Sequence, residues 1–160
     1  MTFKTIIIPH DGESTSDKAL DNAIKIAKLV QDSEITLLHI LVIALPPSLA
    51  LRAKPIHSFK TGEMISPEAY VKEIYQESKQ EFLKKYENIR QKCNDIGVSF
   101  HVKIDIGDPA EKILEYANEN KVDLIVMGTV RRKGISKYVS FGSVAKKVAE
   151  NSPCPIMLIH

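Results

Sequence analysis

Tryptophan is absent from this chain, and five phenylalanines and five tyrosines supply all of its aromatic rings. Any platform for a nucleobase would therefore be Phe or Tyr. Cysteine is nearly absent too: only Cys93 and Cys154 occur. One pair without framework spacing argues against a disulfide scaffold and reads as reduced thiols, the expectation for a cytoplasmic protein. No apolar stretch approaches the ~20 residues that span a bilayer. The start, Met1 to Lys4, lacks the cationic and apolar regions of a signal peptide. Excess charge is missing as well, since 22 Lys and Arg against 20 Asp and Glu leave a net +2. That balance argues against nucleic acid or a membrane surface as the main partner. There is no Walker loop, no Gly-x-Ser-x-Gly elbow and no paired-carboxylate site, so no catalytic residue is assigned. His10 and His39 have no second histidine or carboxylate at zinc spacing, so no metal site is assigned either.

What is present is ordinary for one globular domain. The 160 residues are 44% hydrophobic and 26% charged, enough to bury a sizeable core over residues 1–160. Thr5 to Ile8 is short, β-branched and apolar on both faces, as a central strand covered by helices requires. Ser14 is placed to cap the next helix, with Asp17 three residues on. Ala19, Leu20, Ala23, Ile24, Ala27 and Val30 then share one helical face. Glu34 to Ile40 is a second strand. Residues 42–66 break the rhythm with Pro46, Pro47, Pro55 and Gly62. They read as a long loop, with a helical turn near 48–53. Ser66-Pro67-Glu68 opens a long helix whose stripe runs through Ile74, Ser78, Phe82, Ile89, Cys93 and Ile96. Val98 to Ile106 alternates like an edge strand. Asp108-Pro109-Ala110-Glu111 starts another helix, Asp123 to Met127 is a central strand, and Pro155 to Ile159 is the last strand.

This alternation predicts an α/β fold: one doubly wound, five-stranded parallel sheet with helices on both faces. With the first and fourth strands central, the order is 3-2-1-4-5. Ligands of open α/β sheets bind at the switch point, here between those two strands. The Pro9-His10-Asp11 turn leaves one of them. From the other comes Met127-Gly128-Thr129-Val130-Arg131-Arg132-Lys133-Gly134, a basic loop running to the helix that opens at Gly142-Ser143-Val144. Backbone N–H groups at a helix start are unpaired and carry partial positive charge, so the combination suits a phosphate. Asp11 and the basic loop thus fall on opposite walls of one crevice.

These residues resemble the universal stress protein family, within the wider group of adenine-nucleotide α-hydrolase-like folds. The resemblance covers nearly the whole chain. It rests on Ile7-Ile8-Pro9-His10-Asp11-Gly12, Leu37-Leu38-His39-Ile40, Gly107-Asp108-Pro109-Ala110, Asp123 to Thr129, Gly142-Ser143-Val144-Ala145 and Ser152-Pro153-Cys154-Pro155-Ile156. It implies a 3-2-1-4-5 sheet and a homodimer paired through the last strand, Pro155 to Ile159. It also implies ATP or AMP as ligand, with Mg²⁺ bridging the phosphates as an option, although some members bind no nucleotide. By that resemblance Asp11 meets the ribose and the Ile40 backbone meets adenine. The signature Gly-x2-Gly-x9-Gly-Ser/Thr places Gly128 and Gly142-Ser143 around the phosphates. Arg131 stands where the second glycine belongs, and the spacing from Gly128 to Gly142 is one residue longer. Arg131 either blocks the backbone approach or replaces it with a charge-assisted fork, an outcome that Arg132 and Lys133 favour. The expected function is a stress-response regulator that binds an adenine nucleotide and hydrolyses little or none. The alternatives are a nucleotide-independent dimeric interaction protein and a slow ATPase.

Overall fold

The computed structural model describes residues 2–43, 54–129 and 142–160. Thr5–Pro9 forms β1, Ser14–Ala27 α1, Glu34–Leu41 β2, Ile56–His57 β3 and Met64–Ile65 β4. Pro67–Asp95 forms α2, Ser99–Ile106 β5, Pro109–Glu119 α3, Leu124–Gly128 β6, Ser143–Asn151 α4 and Ile156–Ile159 β7. The main sheet runs β5-β2-β1-β6-β7, with every pairing parallel. Once the small β3–β4 hairpin is set aside, this is the expected 3-2-1-4-5 order.

The apolar run of β1 explains its central place. Ile6, Ile7 and Ile8 are all fully buried, and each contributes about 1.5–3 kcal/mol relative to exposure. Strand alternation sends Ile6 and Ile8 to one face, where Ala19, Leu20, Ala23 and Ala27 of α1 meet Tyr86 and Cys93 of α2. Ile7 faces the other layer, built from Ala110, Ile113 and Ala117 of α3 and Ala145 and Val148 of α4. β5 is an edge strand, as its polar alternates require. Two helix starts follow their sequence signals. Ser66 Oγ accepts from Ala69 N at 3.2 Å and Asp108 Oδ1 from Glu111 N at 2.9 Å, each just ahead of a helix-opening proline.

Three local expectations are corrected. Ser14 is not a cap: Glu13 holds the N-cap position of α1 without a side-chain bond. Asp11 organises that turn instead, since its Oδ1 accepts from Glu13 N at 3.0 Å and Ser16 Oγ at 2.7 Å. Asp17 is drawn inward to His10 and Tyr86 rather than back to the helix start. The 42–66 connection is not all loop. Ile56 and His57 pair with Ile65 and Met64 around a turn closed by the Ser58 hydroxyl, which accepts from Lys60 N and Thr61 N. The helical turn expected near 48–53 lies outside the described residues. Ile96 leaves the buried stripe of α2 and is 40% exposed, because the helix has ended at Asp95. Tyr86 fills the stripe instead and is 3% exposed.

Candidate functional site

β1 continues into α1 on one face of the sheet, while β6 leads toward α4 on the other. Their carboxyl ends therefore part, and the sheet opens between them. A cavity of about 300 Å³ lies in that opening, the lower end of the range for small-molecule sites. Its walls include Pro9, His10 and Asp11 on one side and Met127, Gly128 and Thr129 on the other. Ile40 and Ile113 add apolar surface, and Gly142, Ser143 and Val144 bring in the start of α4.

Asp11 is the acid of this site. Burial works against its charge, but the Ser16 hydroxyl and the Glu13 amide outweigh it and hold the carboxyl below the usual range. Both bonds go to Oδ1, and Oδ2 makes no hydrogen bond among the described residues. The carboxylate is thus charged, oriented and open at one oxygen. His10, beside it, is 3% exposed. Its Nδ1 accepts from Gly12 N at 3.0 Å, and its Nε2 lies 3.0 Å from both Asp17 Oδ1 and the Tyr86 hydroxyl. Burial lowers the pKa of this ring more than the Asp17 bond raises it. Burial and Asp17 push the Tyr86 hydroxyl well above its ordinary value. With both ring nitrogens engaged, His10 has no lone pair to offer a reacting water.

The opposite wall supplies donors. Gly142 is the N-cap of α4 and has no side chain of its own to cap that helix, nor does another side chain cap it among the described residues. The first N–H groups of a helix have no intrahelical partner, so an uncapped start beside a cavity favours an anion. Thr129 is 4% exposed, lines the cavity, and has a hydroxyl without a hydrogen-bond partner among the described residues. A buried orphan hydroxyl costs about 1–3 kcal/mol, which a bound ligand group would relieve. Ile40 offers a further pair of groups. Leu38 O accepts from His10 N at 2.8 Å, and the β1–β2 pairing ends at Pro9 and Leu38. Strand alternation turns the N–H and C=O of Ile40 to the same side two residues on, where β1 is no longer there to receive them.

The two signature glycines differ physically. A Cβ on Gly128 would stand 2.6 Å from Thr15 C and 2.8 Å from Ser16 N, so the backbone of α1 excludes a side chain there. A Cβ on Gly142 would meet nothing within 4 Å among the described residues, and its φ of −58° suits any residue.

Nine of the sequence-selected residues line this one cavity: Pro9, His10, Asp11, Ile40, Met127, Gly128, Gly142, Ser143 and Val144. Arg131 and Arg132 lie outside the described residues. Sequence reasoning missed Thr129, although it directly follows Gly128 at a central strand end. It also missed the Asp17–Tyr86 pair behind His10. Tyr86 lies four residues after Phe82, so helical spacing does mark it as inward-facing. The partner across the core is a tertiary contact that no local pattern signals. Among the described residues no cluster of His, Cys, Asp or Glu has the makings of a metal site. None of their helices is long and apolar enough to cross a membrane.

Comparison with known proteins matches residues 2–160 to the model of the universal stress protein family. Universal stress protein YxiE of Bacillus subtilis is 36% identical over 160 residues, 99% of each chain. Universal stress protein MJ0531 of Methanocaldococcus jannaschii is 35% identical over 157 residues, covering 98% of this chain and 82% of that one. Among solved structures, MJ0577 of the same archaeon superposes with a TM-score of 0.71 at 24% identity, over 99% and 96% of the two chains. A universal stress protein family member from Arabidopsis thaliana with AMP bound gives 0.57 at 19% identity, over 96% and 89%. A universal stress protein in complex with cAMP gives 0.60 at 20% identity, over 100% and 98%. At these identities the structural likeness establishes the fold alone.

Proposed function

The chain belongs to the universal stress protein family, and on that premise we propose that it is a stress-response regulator that binds an adenine nucleotide in the switch-point crevice. The observation that carries this reading is a convergence. A charged, half-engaged Asp11, the orphan Thr129 hydroxyl and the uncapped start of α4 meet in one cavity of about 300 Å³. In the proposed pose Asp11 takes the ribose hydroxyls and the Ile40 backbone takes the base. Gly128, Gly142, Ser143 and Val144 surround the phosphates. Arg131 and Arg132 add charge from the loop between, and Mg²⁺ is an optional bridge between phosphates. Relatives of the same fold hold AMP and cAMP, which supports an adenylate as the ligand class. Both nitrogens of His10 and one oxygen of Asp11 are already engaged, which supports binding with little or no hydrolysis.

The same reading includes a cytoplasmic homodimer paired through residues 155–159. Among the described residues β7 pairs with β6 alone and ends the sheet, with Met157 37% exposed, and a sheet edge is a template for a second copy. Thermal denaturation with AMP and ATP tests the ligand claim. Ligand at about 100 times its Kd adds roughly 2.7 kcal/mol, a rise of about 5–10 °C for a domain of this size. No shift with either nucleotide at millimolar concentration would overturn it in favour of a nucleotide-independent interaction protein.

A further inference from the structure

Asp11 sits between two residues that are hydrogen-bonded to each other. The side chain of His10 accepts the backbone N–H of Gly12 at 3.0 Å, so the imidazole closes a small ring around the Asp11 backbone. The rest of His10 is anchored too. Its N–H donates to Leu38 O at 2.8 Å, and its carbonyl accepts from His39 Nδ1 at 2.6 Å. Gly12 holds a φ of +96°, so the turn pivots on a left-handed residue immediately after the acid. The ring of His10 thus holds the Asp11 backbone in the turn from which Ser16 and Glu13 orient its carboxylate.

The proton on that ring can be placed from its partners. A backbone N–H only donates, so Nδ1 is bare and the neutral ring carries its proton on Nε2. Nε2–H then donates to Asp17 Oδ1 at 3.0 Å, and the Tyr86 hydroxyl donates to the same oxygen at 3.1 Å. A second proton would have to go on Nδ1, facing the Gly12 N–H with no acceptor between them. The imidazolium and the closed turn are mutually exclusive. The charged or titratable groups around the ring are Asp17 from α1, Tyr86 and Lys85 from α2, His39 from β2 and Asp11 in its own turn. Asp17 and Asp11 favour the cation, while Lys85 and burial oppose it.

We propose that His10 is a positioning residue: by accepting the Gly12 N–H it holds Asp11 toward the nucleotide, and protonation of its ring opens the turn, so that affinity falls in acid. This rests on the adenine-nucleotide reading above. It is a property of the ring's hydrogen-bond geometry, not of a contact between His10 and the ligand.

Two substitutions separate the ends of the ring. His10→Asn keeps an acceptor where Nδ1 stands and cannot titrate. His10→Gln reaches Asp17 with its amide and leaves Gly12 without an acceptor. Calorimetric titration of AMP into the whole protein is run from about pH 8 to about pH 5, the span in which a histidine changes charge. His10→Asn should bind within about threefold of the natural protein at the upper end, while His10→Gln loses about tenfold, the effect of roughly one hydrogen bond. The AMP phosphate titrates alike in every sample, so the signal is the extra loss of affinity in acid seen with His10 and missing with Asn. Parallel pH profiles for His10 and Asn, or full affinity with Gln, would overturn the proposal. If the natural protein binds no nucleotide, the ligand reading fails. Nitrogen-resolved NMR of the free protein then decides about His10. A bare Nδ1 at neutral pH and a Gly12 amide that moves as the ring titrates support the turn closure. A protonated Nδ1, or a Gly12 amide indifferent to the titration, overturns it.

Discussion

Replacing each signature glycine by alanine should split a single motif into a fold-limited half and a ligand-limited half. In Gly128→Ala the new methyl arrives 2.6 Å from Thr15 C, 2.7 Å from Thr15 O and 2.8 Å from Ser16 N. All three are backbone atoms in the first turn of α1, so no side chain can swing aside. Either α1 or the end of β6 must move. Overpacking of this kind costs about 2–3 kcal/mol, which for 160 residues is a fall in Tm of roughly 4–12 °C. Gly142→Ala meets no such obstacle among the described residues, since none of their atoms lies within 4 Å of its Cβ and φ is −58°. Alanine is a poorer N-cap than glycine by several tenths of a kcal/mol, but it trims the unfolded ensemble by about 0.4–1 kcal/mol. These terms nearly cancel, leaving Tm within about 2 °C. Nucleotide affinity should respond in the opposite sense, because the methyl of Gly142→Ala stands beside the donors at the start of α4. Differential scanning calorimetry without ligand, followed by AMP titration of both variants, reads the two quantities separately. A Gly128→Ala protein that melts like the natural one would refute the steric account of β6 against α1.

Thr129→Val removes a buried hydroxyl that has no hydrogen-bond partner among the described residues. The ligand-free protein should melt at or slightly above its natural Tm, because an orphan polar group carries about 1–3 kcal/mol of desolvation penalty. AMP binding should weaken, and an unchanged Kd would remove Thr129 from the site. Ser66→Ala loses the side-chain bond to Ala69 N at the start of α2, worth about 1 kcal/mol, seen as a fall of roughly 2–4 °C in a thermal melt. His10 also predicts a pH dependence of stability without ligand. Its folded pKa lies below the unfolded value of 6.5, so the unfolded chain takes up the proton first. The His10 contribution is fully present above that value and declines as pH falls from it toward the folded pKa. Denaturant melts at stepped pH should show this decline in the natural protein and lose it in His10→Asn.

Much of this could be read from local pattern. Ile6, Ile7 and Ile8, apolar on both faces, announced a central strand, and Ser66-Pro67 and Asp108-Pro109 announced two helix starts. Those signals are local because the forces behind them act within one or two turns of chain. Strand order followed from handedness and alternation, and with it the crevice between β1 and β6. The errors cluster where a local cue had a distant competitor. Asp17 has the spacing of a capping box, yet a histidine at the end of β1 and a tyrosine on α2 claimed its carboxylate. The hairpin at β3–β4 went unread because two-residue strands are too short to show a period.

What the sequence determined by itself is the scaffold: the amphipathic faces, the caps, the parallel sheet and the walls of its switch point. What only the tertiary structure decided is the state of each group on those walls. Gly128 is a glycine because α1 lies against it, whereas no described residue crowds the Cβ position of Gly142. The His10 ring is fixed with Nε2 toward Asp17 of α1 and Tyr86 of α2. The Thr129 hydroxyl is buried at the end of β6 without a partner among the described residues. Thr15 beside the Cβ position of Gly128 and Tyr86 beside His10 are brought within 4 Å from distant parts of the chain. Hydrogen-bond and steric energies fall off over that distance, so only the folded arrangement sets them.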